Sequence, residues 1–292
     1  MPAELATIID FIRYGASRFG AAGLSFGHSH DNALDEATQL VLHALHLPHD
    51  LGPAYGHAKL TQDEKRDVLA LFTRRINERV PACYLTGEAW FAGLSFKCDS
   101  RALVPRSPIA ELIEAGFEPW LGGREVERAL DLCTGSGCIG IATAHWHPHW
   151  QVDCVDIDDD ALALARENVE RLETRNVRVL KSDLFRQLDG EVYDLIVTNP
   201  PYVTHAETDA LPPEYAHEPE LGRRICRRTG CWSAKSARAS ARWWRCFPRF
   251  RSRGWSSRWG RWASSSSSGP TSCSTTRGSA SWRMRGAPEP RR

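Results

Sequence analysis

The feature that most constrains the fold is a regular alternation of short apolar stretches and amphipathic stretches between residues 129 and 197. Strand-like runs lie at 129–133, 152–156, 177–181 and 193–197, and helical periodicity fits 137–146 and 159–173. Alternation at this spacing predicts parallel strands joined by helical crossovers, and hence an α/β sheet with helices on its faces. Ligands of such sheets bind outside the carboxyl ends of the strands, so we expect the chemistry there.

The N-terminal part has a different pattern. Helical periodicity occurs at 3–19, at 34–46 and from Thr61 onwards, where Thr61 and Glu64 match a capping box. Apolar and polar residues alternate over 94–98, which is typical of a strand in a hairpin, and Pro108 suits the start of a helix. We predict an all-helical domain at 1–87, a β-hairpin linker at 88–108 and an α/β domain at 109–222.

Three of the strand ends carry residues suited to a nucleoside-containing ligand. The first runs into DLCTGSG, residues 131–137, whose two glycines permit a tight turn before the free N–H groups of the next helix. Asp156 ends the second strand and suits a ribose diol, while Asp183 after the third can accept from an adenine amine beside Leu184. Each signal is weak alone, since an ordinary turn or a helix-capping acid is an alternative at each place.

The fourth strand ends in Asn-Pro-Pro-Tyr, residues 199–202, and two prolines cannot continue a sheet ladder. The Asn199 side-chain oxygen and the Pro200 carbonyl can accept the two hydrogens of an NH₂ group, and Tyr202 can stack on the planar group that carries it. The four strand ends together therefore form a specific signal, although each is ambiguous.

These motifs resemble a known family. DLCTGSGCIGIA, VDIDDDALALARENV, KSDLF and DLIVTNPPYV follow the pattern of S-adenosylmethionine-dependent protein glutamine methyltransferases, in the same order. NPPY also occurs in nucleic-acid amino-methyltransferases, which remain an alternative. YGASRFGAAGLSFGHSHDNALDEATQLVL, YLTGEAWFAGLSF and LVPRSPIAELI look like the branch acting on ribosomal protein L-three of the large subunit. The resemblance runs from about residue 6 to residue 221.

The resemblance implies a Rossmann-like class I methyltransferase domain at 109–222 and S-adenosyl-L-methionine as the cofactor. It implies a cytoplasmic enzyme that methylates a glutamine side-chain amide of L-three, free or in a ribosome assembly intermediate. The implied cofactor-binding residues are Asp131, Cys133, Thr134, Gly135, Ser136, Gly137, Asp156, Asp183, Leu184 and Asn199. Asn199, Pro200 and Tyr202 are implied to be catalytic, and Pro201 and Arg106 are implied to join them in binding the substrate.

Residues 223–292 have a different composition from the rest of the chain. They hold 18 Lys and Arg against one acid, seven of the eleven Trp, 15 Ser, and no Leu or Val, whereas residues 1–222 hold 19 bases and 35 acids. Three interpretations compete: a disordered basic tail, an Arg/Trp tail by which a non-catalytic protein contacts RNA, and translation in a reading frame shifted by one base.

The frameshift explains the composition best. After a shift by one base, the middle base of each original codon is read as the first base of a new codon. Codons with T in the middle encode only apolar residues, and Trp, Cys and Phe codons begin with T. Trp and Cys therefore stand where an apolar pattern has been lost. In the neighbouring frame, 229–237 is compatible with DGLLVSEVG and 251–257 with PFTWLEF. Both strings resemble the fifth strand and the final strand pair of the family, in the right order. No sequence matches the helix that the family has between HEPELG and that fifth strand, which indicates a deletion after Gly222 alongside the shift. We therefore predict a sheet that is incomplete after the fourth strand, and a chain that is poorly folded or inactive as written.

Other features argue against further site types. No stretch reaches 18 apolar residues, and the start of the chain lacks the pattern of a signal peptide, so neither a membrane span nor secretion is expected. The nine Cys show no Cys-x-x-Cys spacing and predict free thiols. His145, His147 and His149 are not expected to bind a metal, because Pro148 breaks their helical spacing.

Overall fold

The computed structural model describes residues 4–28, 30–118, 120–200 and 211–220. The helical part contains α1 (Ile8–Ala21), α2 (Ala33–Ala44), α3 (Gln62–Asn77) and α4 (Ala82–Thr86), with a 3₁₀ turn at Pro53–His57. A hairpin follows, formed by β1 (Glu88–Phe91) and β2 (Leu94–Lys97). The remaining elements are α5 (Ile109–Glu114), β3 (Arg128–Leu132), α6 (Cys138–Trp146), β4 (Gln151–Asp156), α7 (Asp159–Arg171), β5 (Val177–Lys181), β6 (Leu195–Thr198) and a 3₁₀ turn at Pro213–His217.

The three predicted N-terminal helices are present, and their starts are set by side-chain caps. α1 begins at Ile8 rather than near residue 3, because the Thr7 hydroxyl accepts from the Asp10 N–H while Asp10 accepts from the Thr7 N–H. The predicted capping box at Thr61 and Glu64 is confirmed. Their apolar faces share one core, in which Phe19 meets Phe72 edge to face at 5.2 Å.

The predicted hairpin is confirmed, and its two strands are joined by a turn of only two residues. Phe91 pairs with Leu94, and the two turn residues between them, Ala92 and Gly93, both have positive φ, as the twist of a two-residue hairpin requires. The Trp146 indole N–H donates to the Ala92 carbonyl at 3.0 Å. The hairpin is thereby attached to the end of α6.

The four predicted strands form one parallel sheet in the order β5-β4-β3-β6. β6 begins at Leu195 rather than 193 because the Asp194 carboxylate accepts the N–H groups of Glu127 and Arg128, both at 3.0 Å, and sheet pairing starts after it. Leu132 pairs with Val155 on one side and with Thr198 on the other. The carboxyl ends of the strands are therefore level, at the edge where the motifs lie.

Within the described ranges β6 pairs with β3 and with no other strand. Residues 201–210 and 223–292 lie outside the described residues, so the predictions of an incomplete sheet and of a disordered tail stay predictions, as do the domain boundaries. No helix in the described part is long and apolar enough to cross a membrane.

Candidate active site

The loop after β3 is organised by a buried carboxylate. Asp131 is 1 % exposed, and its Oδ2 accepts the Thr134 hydroxyl and, at 2.9 Å, the Gly140 N–H. Its Oδ1 has no hydrogen-bond partner among the described residues. Burial raises the pKa of Asp131 to about 6. Asp131, which is predicted to bind the cofactor, therefore stabilises the loop through Oδ2 and leaves Oδ1 as an acceptor without a partner among the described residues.

Two further details fit this loop to a ligand. Cys133 has a φ of +63°, an uncommon value for a residue with a side chain, of the kind that occurs at binding sites. A Cβ on Gly140 would lie 2.3 Å from Cys154 Sγ, so the glycine allows α6 to pack directly on β4. The backbone of residues 133–137 joins the carboxyl end of β3 at Leu132 to the start of α6 at Cys138, so the loop and the helix N-terminus lie at this edge of the sheet.

Asp156 connects the ends of β3 and β4. Its Oδ2 accepts the Gly135 N–H at 2.9 Å, and its Oδ1 accepts the N–H of Ile157 at 2.8 Å. The alternative role of helix cap belongs to Asp158, whose side chain accepts from the second and third residues of α7. Burial raises the pKa of Asp156. The carboxylate lies beside the glycine loop, where the sequence places a ribose contact.

Asp183 and Leu184 lie at the same edge. The Ser182 N–H donates to the Asp156 carbonyl at 2.9 Å, which holds the end of β5 beside that of β4. Asp183 forms an ion pair with Arg186 at 3.1 Å, and Leu184 has a φ of +54°. The turn after β5 therefore contains a strained residue, Leu184, and lies beside the end of β4.

Asn199 follows β6 directly. The Thr198 hydroxyl donates to the Leu132 carbonyl at 2.7 Å, so Asn199 stands at the level of Cys133 and the start of the glycine loop. Asn199 and Pro200 are half-buried, and Pro201 and Tyr202 lie outside the described residues. The catalytic roles of Asn199, Pro200 and Tyr202 stay predictions, and so does the substrate-binding role of Pro201.

Arg106 lies where the loop after the hairpin meets the segment that follows the NPPY motif. Its guanidinium donates to both carboxylate oxygens of Glu218, the Nη2–Oε2 distance being 2.9 Å. It also lies over the Tyr215 ring, 5.1 Å from the centroid. A direct contact of Arg106 with substrate stays a prediction.

The sequence did not reveal Asn168, which lies in α7 with no exposed surface. Its side-chain oxygen accepts the Lys97 N–H at 2.7 Å, and its amide nitrogen donates to the carbonyls of Ser136 (3.0 Å) and Lys97 (3.2 Å). It joins the hairpin to the glycine loop. A single Asn in a helical pattern carries no local signal for contacts 32 and 71 residues away.

The histidines take part in packing. The His147 and Trp150 rings are stacked at 4.0 Å, and His28, 2 % exposed, lies 4.5 Å from the Tyr215 ring. In the part of the chain that the structure describes, no group of three or more His, Cys, Asp or Glu side chains is placed to hold a metal ion.

Comparison with known proteins places these features in a family. The model of the methyltransferase small domain matches residues 120–212. The curated ribosomal protein uL3 glutamine methyltransferase of Xanthomonas campestris pv. campestris is 78 % identical over 221 residues, 76 % of this chain and 72 % of that protein. The Bordetella pertussis protein of the same name is 50 % identical over 220 residues, 75 % of this chain and 74 % of that protein.

Similarity to solved structures is lower. The catalytic domain of human Mettl16 in complex with an RNA hairpin is 17 % identical, with a TM-score of 0.39, and the match covers 74 % of this chain and 67 % of that one. The human methyltransferase 10 domain containing protein is 23 % identical, with a TM-score of 0.34 over 40 % of this chain and 59 % of that one. Similarity at this level carries no argument about substrate.

Proposed function

This chain belongs to the family of ribosomal protein uL3 glutamine methyltransferases, and from that premise we propose that residues 1–222 catalyse methyl transfer from S-adenosylmethionine to the side-chain amide of a glutamine in uL3. One observation carries the proposal: the register of the sheet brings the glycine loop, Asp156, Asp183 and Asn199 to one edge. The acidic body, with 35 acids against 19 bases in residues 1–222, favours a protein over an RNA substrate.

The residues of the first three strand ends fit S-adenosylmethionine. Loop 133–137 suits its methionine end, with the orphan oxygen of Asp131 available as an acceptor behind the loop. Asp156 suits the ribose hydroxyls, and Asp183 with Leu184 suits the adenine. When bound, S-adenosylmethionine supplies a methyl group on a positively charged sulfur, which a weak nucleophile can attack only when it is aligned.

Asn199 and Pro200 would supply that alignment. An amide nitrogen is a poor nucleophile because its lone pair is delocalised into the carbonyl. The Asn199 side-chain oxygen and the Pro200 carbonyl accept one N–H each, which fixes the nitrogen and favours its rehybridisation. Tyr202 would stack on the amide plane, and oxygen acceptors beside the nitrogen would stabilise the positive charge that develops during transfer. Positioning and electrostatics thus do the work, and no strong base is needed before transfer.

Residues 223–292 limit this function in the chain as written. We interpret them as translated in a shifted frame, so that the segment expected to complete the sheet beside β6 is missing. Sequencing the coding DNA across codons 218–230 tests this directly. The chain as written should show no measurable turnover, whereas the chain with its original reading frame restored (the frame-restored chain) should be active.

Replacing Asn199 tests the role of the acceptor residues. In the frame-restored chain, Asn199→Ala should abolish methylation of uL3 while S-adenosylhomocysteine binding persists, because the Asn199 side chain binds the acceptor amide. Asn77→Ala, at the exposed end of α3, serves as the matched control and should keep full activity. Near-normal turnover of Asn199→Ala would remove the assignment.

A further inference from the structure

The loop between β2 and α5 passes next to the glycine loop. A Cβ on Gly135 would lie 3.9 Å from the Cβ of Ala102, which is ordinary van der Waals contact. Ala102 is 3 % exposed and packs with Ala161 and Leu164 of α7. Since the Gly135 N–H donates to Asp156, Ala102 lies against the glycine loop beside its bond to the end of β4.

Tyr84 of α4 fixes the position of Ala102 from the side of the helical part. Its hydroxyl donates to the Ala102 carbonyl at 2.7 Å. Burial raises the pKa of Tyr84, so the hydroxyl keeps its proton and remains a donor. The neighbouring Cys83 packs with Cys98 and Val104, which lie on either side of Ala102 in the chain. α4 therefore contacts the loop over several residues, and Tyr84 supplies the polar contact.

Arg101 fixes the same loop from the side of α7. Its Nε and Nη2 donate to the two carboxylate oxygens of Asp99 at 2.9 and 2.8 Å, and its Nη1 and Nη2 donate to those of Glu167 at 2.6 and 2.9 Å. Glu167 also pairs with Lys97 Nζ at 2.6 Å. Hydrogen bonds from Arg101 and Lys97 lower the pKa of Glu167 to about 2, so it is charged at neutral pH. Two-point contacts of this kind fix the orientation of the guanidinium, and with it the backbone that leads into Ala102.

The contact with Ala102 restrains a part of the chain that has many conformations to lose. Gly135 and Gly137 both have positive φ, and glycine loses more conformational freedom than any other residue when a loop is ordered. A neighbour in contact with Gly135 excludes some of these conformations before a ligand binds, and a smaller ordering cost on binding gives a higher affinity. Because the Ala102 side chain is only a methyl group, its position depends on the bonds made by Tyr84 and Arg101.

We propose that Tyr84 and Arg101 are positioning residues that hold Ala102 against Gly135, so that a residue of the helical part and a residue of the loop after the hairpin together set the affinity for S-adenosylmethionine. This inference rests on the proposed function, since it takes residues 133–137 as the cofactor-binding loop. Both side chains act through the backbone of the loop that carries Ala102.

Four single variants test the inference, of which two are matched controls. Tyr84→Phe removes only a hydroxyl, and Arg101→Gln removes a guanidinium. Tyr193→Phe is the control for the first, because the Tyr193 hydroxyl donates to Asp153 Oδ2, also at 2.7 Å, near the amino ends of the strands. Arg178→Gln is the control for the second, because Arg178 donates to both carboxylate oxygens of Asp153, at 2.7 and 2.6 Å.

All variants are made in the full 292-residue chain and, in parallel, in the frame-restored chain. Calorimetry gives the affinity for S-adenosylhomocysteine, and hydrogen exchange followed by NMR gives the opening of the bond from the Gly135 N–H to Asp156. We expect Tyr84→Phe to bind S-adenosylhomocysteine about fivefold more weakly, because one hydrogen bond is lost, and Arg101→Gln about tenfold more weakly, because charged two-point contacts are lost. The Gly135 N–H should exchange faster in both. Both controls should keep the wild-type affinity within about twofold and the wild-type exchange rate at Gly135.

The two measurements separate this inference from the proposed function. Where the wild-type protein binds S-adenosylhomocysteine, affinities of Tyr84→Phe and Arg101→Gln equal to those of their controls overturn the inference, and so does a change in only one of the two measurements. If wild type binds no S-adenosylhomocysteine in either chain, the proposed function fails. Hydrogen exchange then decides the positioning role by itself: faster exchange at Gly135 in the two variants supports it, and unchanged exchange overturns it.

Discussion

Asn168→Ala provides a quantitative test of how the hairpin supports the cofactor loop. The substitution removes three hydrogen bonds of a side chain with no exposed surface, and it leaves the buried Ser136 carbonyl without that donor. A net hydrogen bond contributes about 1 kcal/mol and an unsatisfied buried polar group costs about 1–3 kcal/mol, so we expect a loss on the order of 2–4 kcal/mol in the free energy of unfolding. Denaturation in urea, followed by circular dichroism, measures this loss.

The same variant should also weaken cofactor binding, because the Ser136 carbonyl lies in the glycine loop. Losing about 1.4 kcal/mol of loop stabilisation corresponds to roughly tenfold weaker binding of S-adenosylhomocysteine. Asn176→Ala is the matched control: its amide donates to the Ala144 and Trp150 carbonyls at 3.0 and 2.8 Å, near the amino end of β4. It should lose stability and keep its affinity within about twofold. Equal affinities in both variants would refute the proposed link between hairpin and loop.

Three further outcomes are expected. Gly140→Ala places a Cβ 2.3 Å from Cys154 Sγ and should lower the free energy of unfolding by about 1–3 kcal/mol. Thermal melts should show that adding Cys154→Ala to this variant restores part of the lost stability. No recovery in the double mutant would contradict the steric explanation. Burial raises the pKa of Asp131 from 3.8 to about 6, so its protonated form stabilises the fold at low pH. The free energy of unfolding of wild type, relative to that of Asp131→Asn, should fall as the pH rises from about 4 to about 6. A difference that does not change with pH would contradict the raised pKa of Asp131. Burial lowers the pKa of His28 from 6.5 to about 3, so its neutral form adds stability that is lost as the pH falls across that range. Urea denaturation at several pH values should show a smaller loss in His28→Phe than in wild type. An identical pH profile in the two proteins would exclude the buried imidazole as the source of the loss.

The fold of the described part followed from local signals where these were strong. Apolar runs fixed the four strands to within two residues, and Thr61 with Glu64 fixed the start of α3. The start of α1 was missed, because Leu5 fits the apolar stripe although Thr7 caps the helix after it. α4 has five residues, too few to show periodicity.

The candidate site was predictable in its backbone and only partly in its supports. The glycine loop and the strand-end acids lie in the motif positions themselves. Arg75 belongs to QDEKRDVLALFTRRIN, where it resembles an ordinary solvent-facing residue, and only the packing of Glu36 and Glu214 around it reveals that it is buried. Contacts between residues far apart in sequence produce no periodic pattern, so the ion pairs of Arg75 with Glu36 and Glu214 become visible only in the three-dimensional structure.

The most direct test of the central claim is to locate the transferred methyl group. The chain as written and its frame-restored counterpart are each incubated with isotopically labelled S-adenosylmethionine, purified uL3 and ribosomal RNA, and mass spectrometry of both macromolecules assigns the label. We expect the frame-restored chain to place one methyl group on the side-chain amide nitrogen of a glutamine in uL3 and none on RNA, and the chain as written to place none. Label on an RNA base, or on any other residue of uL3, would contradict the proposed function.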